Sequence, residues 1–182
     1  MKLPRLQMEG FLLRPWALED EDALVRHANN PRVAINLRDG FPSPYTRSDA
    51  REWLRMIMDA QDDLVLAIEI EGEAQGGVGI HAQKDVYRYN GEVGYWLAEK
   101  CWGQGIMTRA VGALTDYAFG HTHWLRLFAM VYEQNPASMK VLEKNGYTLE
   151  AIHRKAVMKG RKRMDEHAYA LLREEWEMLH PR

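Results

Sequence analysis

Apolar residues recur along this chain with two periods, and the places where one period gives way to the other divide it into elements. Between Arg47 and Asp59, Ala50, Trp53, Leu54, Ile57 and Met58 fall on one helical stripe. Thr46 is placed to cap that helix, with Asp49 three residues on standing in for the Glu of a capping box. Leu64, Leu66, Ile68 and Ile70 alternate, which is strand periodicity, and Gly72-Glu73 can turn the chain into a second strand from Ala74 to about His81. Upstream, residues 11–14 read as a short strand. Residues 18–29 read as a helix, with Glu19, Asp20, Glu21 and Asp22 at its start and Pro31 forbidding much extension.

In the second half, residues 92–97 predict a strand and residues 105–119 a helix. Met107, Val111, Leu114 and Ala118 form the buried stripe of that helix, and Gly120 suits its C-terminal cap. Leu125, Leu127, Ala129 and Val131 alternate with Arg126, Phe128, Met130 and Tyr132, a strand with two unlike faces. Asn135 then caps a helix with Pro136 at its first position, and Gly146 ends it with Tyr147 folding back over Val141 or Leu142. Residues 149–158 and 164–172 read as a closing hairpin and 173–179 as a helical tail. The order β-αα-ββ-β-α-β-α-ββ favours an α/β fold in which hairpins supply antiparallel strands and one crossover helix supplies a parallel step. No repeat, low-complexity tract or linker interrupts the 182 residues, so residues 1–182 are expected to form one domain.

Composition narrows the function classes. The chain is 46% hydrophobic and 27% charged with a net charge of -2, which gives no reason to expect sequence-independent nucleic-acid binding. The basic run Lys159-Gly-Arg-Lys-Arg163 reads as a solvated hairpin tip. Cys101 is the only cysteine, so neither an intrachain disulfide nor a multi-cysteine metal site is available, and no metal is expected. Its position invites a nucleophile reading, but no His lies nearby in sequence to act as base; a small apolar filler is the plainer account. The first residues lack the apolar core of a signal peptide and no run reaches membrane-spanning length. The cytoplasm is the default location and no membrane partner is expected.

The chemistry concentrates in Gly91-Glu-Val-Gly-Tyr-Trp-Leu-Ala-Glu-Lys-Cys-Trp-Gly-Gln-Gly-Ile-Met-Thr-Arg-Ala110. Gly103 and Gly105 stand where strand becomes helix, and such a junction aims several backbone N–H groups and a helix dipole at one point. That is an anion site, usually for phosphate or pyrophosphate. A Walker loop is excluded because no Lys lies between Gly103 and Thr108. A dinucleotide fingerprint fails because Thr108 occupies the third glycine position and no acid lies near Leu125.

Together with Asn135-Pro-Ala-Ser-Met-Lys-Val-Leu-Glu-Lys-Asn-Gly-Tyr147, the turn Lys100-Cys-Trp-Gly-Gln-Gly105 resembles the GNAT superfamily of acyl-CoA-dependent N-acetyltransferases. Leu13-Arg14-Pro15-Trp16 and Glu92-Val-Gly-Tyr-Trp96 resemble the RimJ/RimL branch. Lys100 stands where that family usually has Arg or Gln. The resemblance implies a mixed, mostly antiparallel sheet flanked by helices, with two strands splayed at a CoA cleft, and acetyl-CoA as co-substrate. It also implies a turn that cradles the pyrophosphate and a later helix that flanks the pantetheine arm. The acceptor it implies is an amine, either a protein N-terminus or a small molecule such as an amino acid, polyamine or antibiotic.

On that reading the N–H groups of Gly103, Gln104, Gly105, Ile106, Met107 and Thr108, in the turn from Trp102, hold the donor, with the Thr108 hydroxyl as an extra contact. Backbone around Tyr95, Trp96 and Leu97 reaches the thioester and pantetheine, and the Asn135 amide suits a pantetheine amide as well as a helix cap. Glu92, near the start of the strand before the turn, is the first candidate for the base. His81, Glu133 and Tyr132 are alternatives. Many family members carry a Tyr seven residues after the Asn to protonate the leaving thiolate; here that residue is Leu142, which leaves Ser138 or water. Arg38, Phe41 and Tyr45, on a Pro- and aromatic-bearing loop, are expected to wall the acceptor site, with His81 nearby. A non-catalytic acyl-CoA-binding or partner-binding module is the competing reading. The oligomeric state is open, with a homodimer among the options.

Overall fold

The computed structural model describes residues 3–180. Eight strands form one sheet in the order β1-β2-β3-β4-β5-β6-β8-β7, with helices against both faces. The strands are β1 (Leu6–Met8), β2 (Phe11–Pro15), β3 (Leu64–Ile70), β4 (Glu73–Ala82), β5 (Asn90–Leu97), β6 (Arg126–Tyr132), β7 (Thr148–Lys159) and β8 (Lys162–Leu172). The helices are α1 (Glu21–Ala28), α2 (Pro31–Ala34), α3 (Arg47–Asp59), α4 (Ile106–His121), α5 (Pro136–Lys144) and α6 (Arg173–Leu179). None is long and apolar enough to cross a membrane among the described residues.

β3 shows how the two layers are built. Leu64, Leu66 and Ile68 enter a core shared with α4 and α5, whereas Val65 and Ala67 enter a second core with Leu24 of α1 and Ala50, Leu54 and Ile57 of α3. Both faces of the strand are therefore buried, and the smaller residues sit on the α1–α3 side. The α3 bounds and its Thr46–Asp49 capping box follow the stripe read from sequence, except that Met58 is exposed rather than buried. On the α4 side, the side-chain amide of Asn145 donates to Thr108 O (3.0 Å) and Val141 O (2.8 Å), tying α5 to α4. A Cβ on Gly112 would lie 2.6 Å from Asn145 Oδ1, so this close approach requires glycine.

Three elements differ from expectation. The predicted helix 18–29 is a 3-10 turn over Leu18–Asp20 followed by α1. Pro31 does not stop helix formation but begins α2, because Asn30 Oδ1 accepts from Arg32 N–H and Pro at the first helical position has no N–H to satisfy. Gly120 lies inside α4, which continues to His121 and is closed by Thr122, whose N–H and Oγ1 both donate to Ala118 O. After α5 the chain turns as read: Gly146 has φ 82°, and Tyr147 N–H donates to Leu142 O (3.1 Å) in a Schellman closure.

The register places an opening in the middle of the sheet. β5 and β6 are its one parallel pair, and they meet only at Asn90–Glu92 and Arg126–Phe128. Beyond that point β5 stays paired with β4 through Leu97, and β6 stays paired with β8 through Tyr132. The two strands diverge, and the facing backbone edges of 93–97 and 129–132 have no sheet partner among the described residues.

Candidate active site

A cleft of about 1140 Å³ runs along this divergence. Its lining continues from Gly103, Gly105 and Thr108 at one end, past Tyr95, Trp96, Asn135 and Ser138, to Arg38, Phe41, His81 and Glu92 at the other.

The first end is made of backbone. Gly103 and Gly105 adopt φ of 75° and 71°, and a Cβ on either would project into open space. Gly105 is the N-cap of α4, and the first helical bond runs from Arg109 N–H to Gly105 O (3.2 Å). The N–H groups of Ile106, Met107 and Thr108 are thus the first-turn donors that a helix cannot use internally. Trp102 Nε1–H donates to Leu97 O (2.8 Å) and the Gln104 side chain donates to Lys100 O (3.2 Å), so both side chains brace the turn. Arg32, ion-paired with Glu99, lies over the Trp102 ring. Cys101 is buried, with Sγ 3.2 Å from Gln75 Oε1, and burial pushes its thiol pKa up. It packs as filler.

β5 sorts the middle of the cleft by parity. Val93 and Leu97 enter the α4 core with Tyr95 packed against it, whereas the Trp96 side chain packs on the α1–α3 core. Glu92 and Gly94 share the Trp96 face. The Tyr95 hydroxyl reaches α5, where it lies 2.8 Å from Ser138 Oγ and 3.2 Å from Ser138 O. Asn135 caps α5 by accepting from Ser138 N–H (3.3 Å). Leu142 is fully buried in the core, so that helix position offers nothing to the cleft.

The far end is made of side chains from distant segments. Arg38 forms an ion pair with Glu92. The Phe41 ring lies 5.9 Å from Trp96 and 5.0 Å from Tyr45. Tyr45 is buried, and burial raises its pKa, so it supports Phe41 and offers little free surface. His81 is the cross-strand partner of Glu92, and its Nδ1 lies 2.7 Å from Asp63 Oδ2. Asp63 in turn accepts from Ala82 N–H (2.9 Å), an arrangement that steers the ring. Of the other candidates for the base, Tyr132 lines the cleft but burial holds its hydroxyl protonated, and Glu133 pairs with Lys155 and is not part of the lining.

The sequence reading did not anticipate Asp63, the Tyr95 hydroxyl, or Lys159. Lys159 is not a solvated residue of a hairpin tip. Its Nζ donates to Leu37 O (2.6 Å) and Asp39 Oδ1 (2.8 Å), and Gln134 Nε2 donates to Ile35 O (3.2 Å). The loop carrying Arg38 and Phe41 is thereby pinned to the far half of the sheet. Among the described residues no group of three or more His, Cys, Asp and Glu is arranged to hold a metal ion.

A sheet opened at its one parallel step, with a helix N-terminus at the mouth, is the frame that the sequence resemblance implies. Residues 11–148 match the acetyltransferase (GNAT) domain, and the chain belongs to that family of N-acetyltransferases. It is 28% identical over 177 residues to the uncharacterized N-acetyltransferase p20 of Bacillus licheniformis, covering 94% of this chain and 97% of that protein. Among solved structures, it shares the fold of RimL, a ribosomal L7/L12 α-N-protein acetyltransferase in complex with coenzyme A. There the TM-score is 0.85 at 22% identity, over 94% of this chain and 99% of the other. The microcin C7 self-immunity acetyltransferase MccE, in complex with acetyl-CoA and AMP, shares it with a TM-score of 0.78 at 22% identity, over 91% and 93% of the two chains.

Proposed function

We propose that this protein transfers an acetyl group from acetyl-CoA to a primary amine within a ternary complex. One observation carries the reading: a single cleft joins the α4 N-terminus to Glu92 through the gap between β5 and β6. The residues present fit the donor. Gly103 and Gly105 leave free the space a Cβ would fill, and first-turn N–H groups suit a pyrophosphate. The unpaired β5 and β6 edges suit pantetheine amides, with Asn135 beside them. When bound, acetyl-CoA supplies a thioester carbonyl as the electrophile. β5 N–H groups around Tyr95, Trp96 and Leu97 then stabilise charge on the carbonyl oxygen, and Ser138 stabilises the sulfur.

Glu92 takes the amine proton, sharing its carboxylate between the amine and Arg38. A second reading of the base rests on Asp63, whose carboxylate holds Nδ1 of His81, the cross-strand partner of Glu92 in the lining of the cleft. The RimJ/RimL-like motifs Leu13-Arg14-Pro15-Trp16 and Glu92-Val-Gly-Tyr-Trp96, together with the RimL fold, favour a protein N-terminal amine as acceptor. A small-molecule amine such as an amino acid, polyamine or antibiotic is the alternative acceptor; the microcin C7 self-immunity acetyltransferase MccE shares the fold. The cytoplasm, where acetyl-CoA and nascent N-termini meet, is the proposed location.

The test is thiol release from acetyl-CoA over a panel of peptides with free N-termini, amino acids and polyamines, with product masses measured. One amine class should gain an acetyl group in step with CoA release. CoA binding with no turnover across the panel would instead support a binding module.

A further inference from the structure

Resting on that reading of the cleft as an acyl-CoA site, one contact goes beyond it. Tyr95 lies on β5 past the last β5–β6 pair, and Ser138 lies on the first turn of α5, which follows β6. Their hydroxyls, 2.8 Å apart, therefore join the two sides of the divergence. The contact has two proton arrangements. In one, Tyr95 donates to Ser138 O (3.2 Å) and the Ser138 hydroxyl donates to Tyr95. In the other, Tyr95 donates to Ser138 Oγ and the Ser138 proton is free to point elsewhere. A hydroxyl has one proton and two lone pairs, so the switch costs no hydrogen bond when an acceptor waits on the cleft side.

We propose that Tyr95 is a positioning residue for the leaving sulfur: its hydroxyl donates to Ser138 Oγ and turns the Ser138 proton onto the CoA thiolate. As the C–S bond breaks, the electron pair stays on sulfur. Ser138 donates a hydrogen bond without giving up its proton, and the amine proton leaves to the base on the opposite face of β5. Burial raises the Tyr95 pKa well above its ordinary value, which keeps that hydroxyl a donor. The Ser138 N–H is already engaged by Asn135 Oδ1, so Tyr95 governs the one part of Ser138 still able to turn. Leu142 brings no competing hydroxyl from the same helix. Lys140 and Lys144 are the cations of α5 that line the cleft.

The test is the ultraviolet thiolate absorbance of CoA bound at saturation, at one mildly alkaline pH, in wild type, Tyr95→Phe, Ser138→Ala and the double variant. Each single change should lower the bound thiolate fraction by about threefold or more, with CoA affinity held within about twofold. The double variant should match Ser138→Ala alone, because Tyr95 acts through Ser138. An unchanged thiolate fraction in folded Tyr95→Phe with CoA bound would overturn this inference alone, as would additive effects in the double variant. A wild-type protein that binds no CoA would overturn both this inference and the reading beneath it.

Discussion

The two ends of the cleft are built on different principles. The cradle at Trp102–Thr108 is seven contiguous residues whose shape comes from two left-handed glycines, a helix start and local braces such as Trp102 to Leu97 O. The far end, proposed to take the acceptor, brings Arg38, Phe41, His81 and Glu92 together from three stretches of chain. It is held by contacts as distant as Lys159 to Leu37. Backbone donors tolerate side-chain change and fail when a Cβ intrudes. A wall of side chains behaves the opposite way. On the proposed reading, such a molecule would retain its donor while its acceptor drifts, because the two specificities would depend on separable parts of the chain.

Glu92→Gln should lower kcat about a hundredfold, or about 2.7 kcal/mol of barrier, while CoA affinity stays within about twofold. The loss should shrink at high pH, where the amine is already neutral. A pH-independent loss, with His81→Gln reproducing the pH-dependent one, would move the base to His81. Gly105→Val should weaken CoA binding by roughly tenfold or more, about 1.4 kcal/mol, through the intruding side chain and the strain of a β-branched residue at φ 71°. Calorimetry on the folded variant checks this, and unchanged affinity would remove the turn from the donor site. Lys159→Ala frees the loop that carries Arg38 and Phe41. It should raise acceptor KM roughly threefold with the CoA Kd unmoved, since each of the hydrogen bonds it makes to the loop is worth about 0.5–1.5 kcal/mol.

The smallest effect concerns the start of α3, which supports the same end. Hydrogen bonds from Thr46 hold the Asp49 carboxyl below its ordinary range. Its stabilisation is therefore full above the unfolded-state value and is lost as pH falls through the folded one. Thermal melts of Asp49→Asn should lack that component of the acid-side loss seen in wild type. Identical slopes would exclude it.

The same contrast explains what the sequence revealed. The cradle, α3 and the Asn135–Pro136 start of α5 carry local signals: glycines at a junction, a stripe with a cap, an N-cap before proline. Asn30-Pro31 carries the signal of Asn135-Pro136, and α2 was readable by the same rule. Gly120 misled because a glycine near a helix end permits a left-handed cap without requiring one, and Thr122 closes α4 instead. The acceptor end left fewer traces. Arg38 and Glu92 are 54 positions apart, Lys159 and Leu37 are 122 apart, and Tyr95 and Ser138 are 43 apart. Periodicity does assign Glu92 and Trp96 to one face of β5 and Tyr95 to the other. It cannot say what each face meets, because the β5–β6 divergence is a property of pairing register.

The Kd of CoA, measured side by side in Gly105→Val and Phe41→Ala, each verified as folded, separates the two ends of the cleft. Loss of roughly tenfold or more in the first, with a change under about twofold in the second, is the predicted result. Equal losses in both, or loss only in Phe41→Ala, would contradict the assignment of donor and acceptor to the two ends.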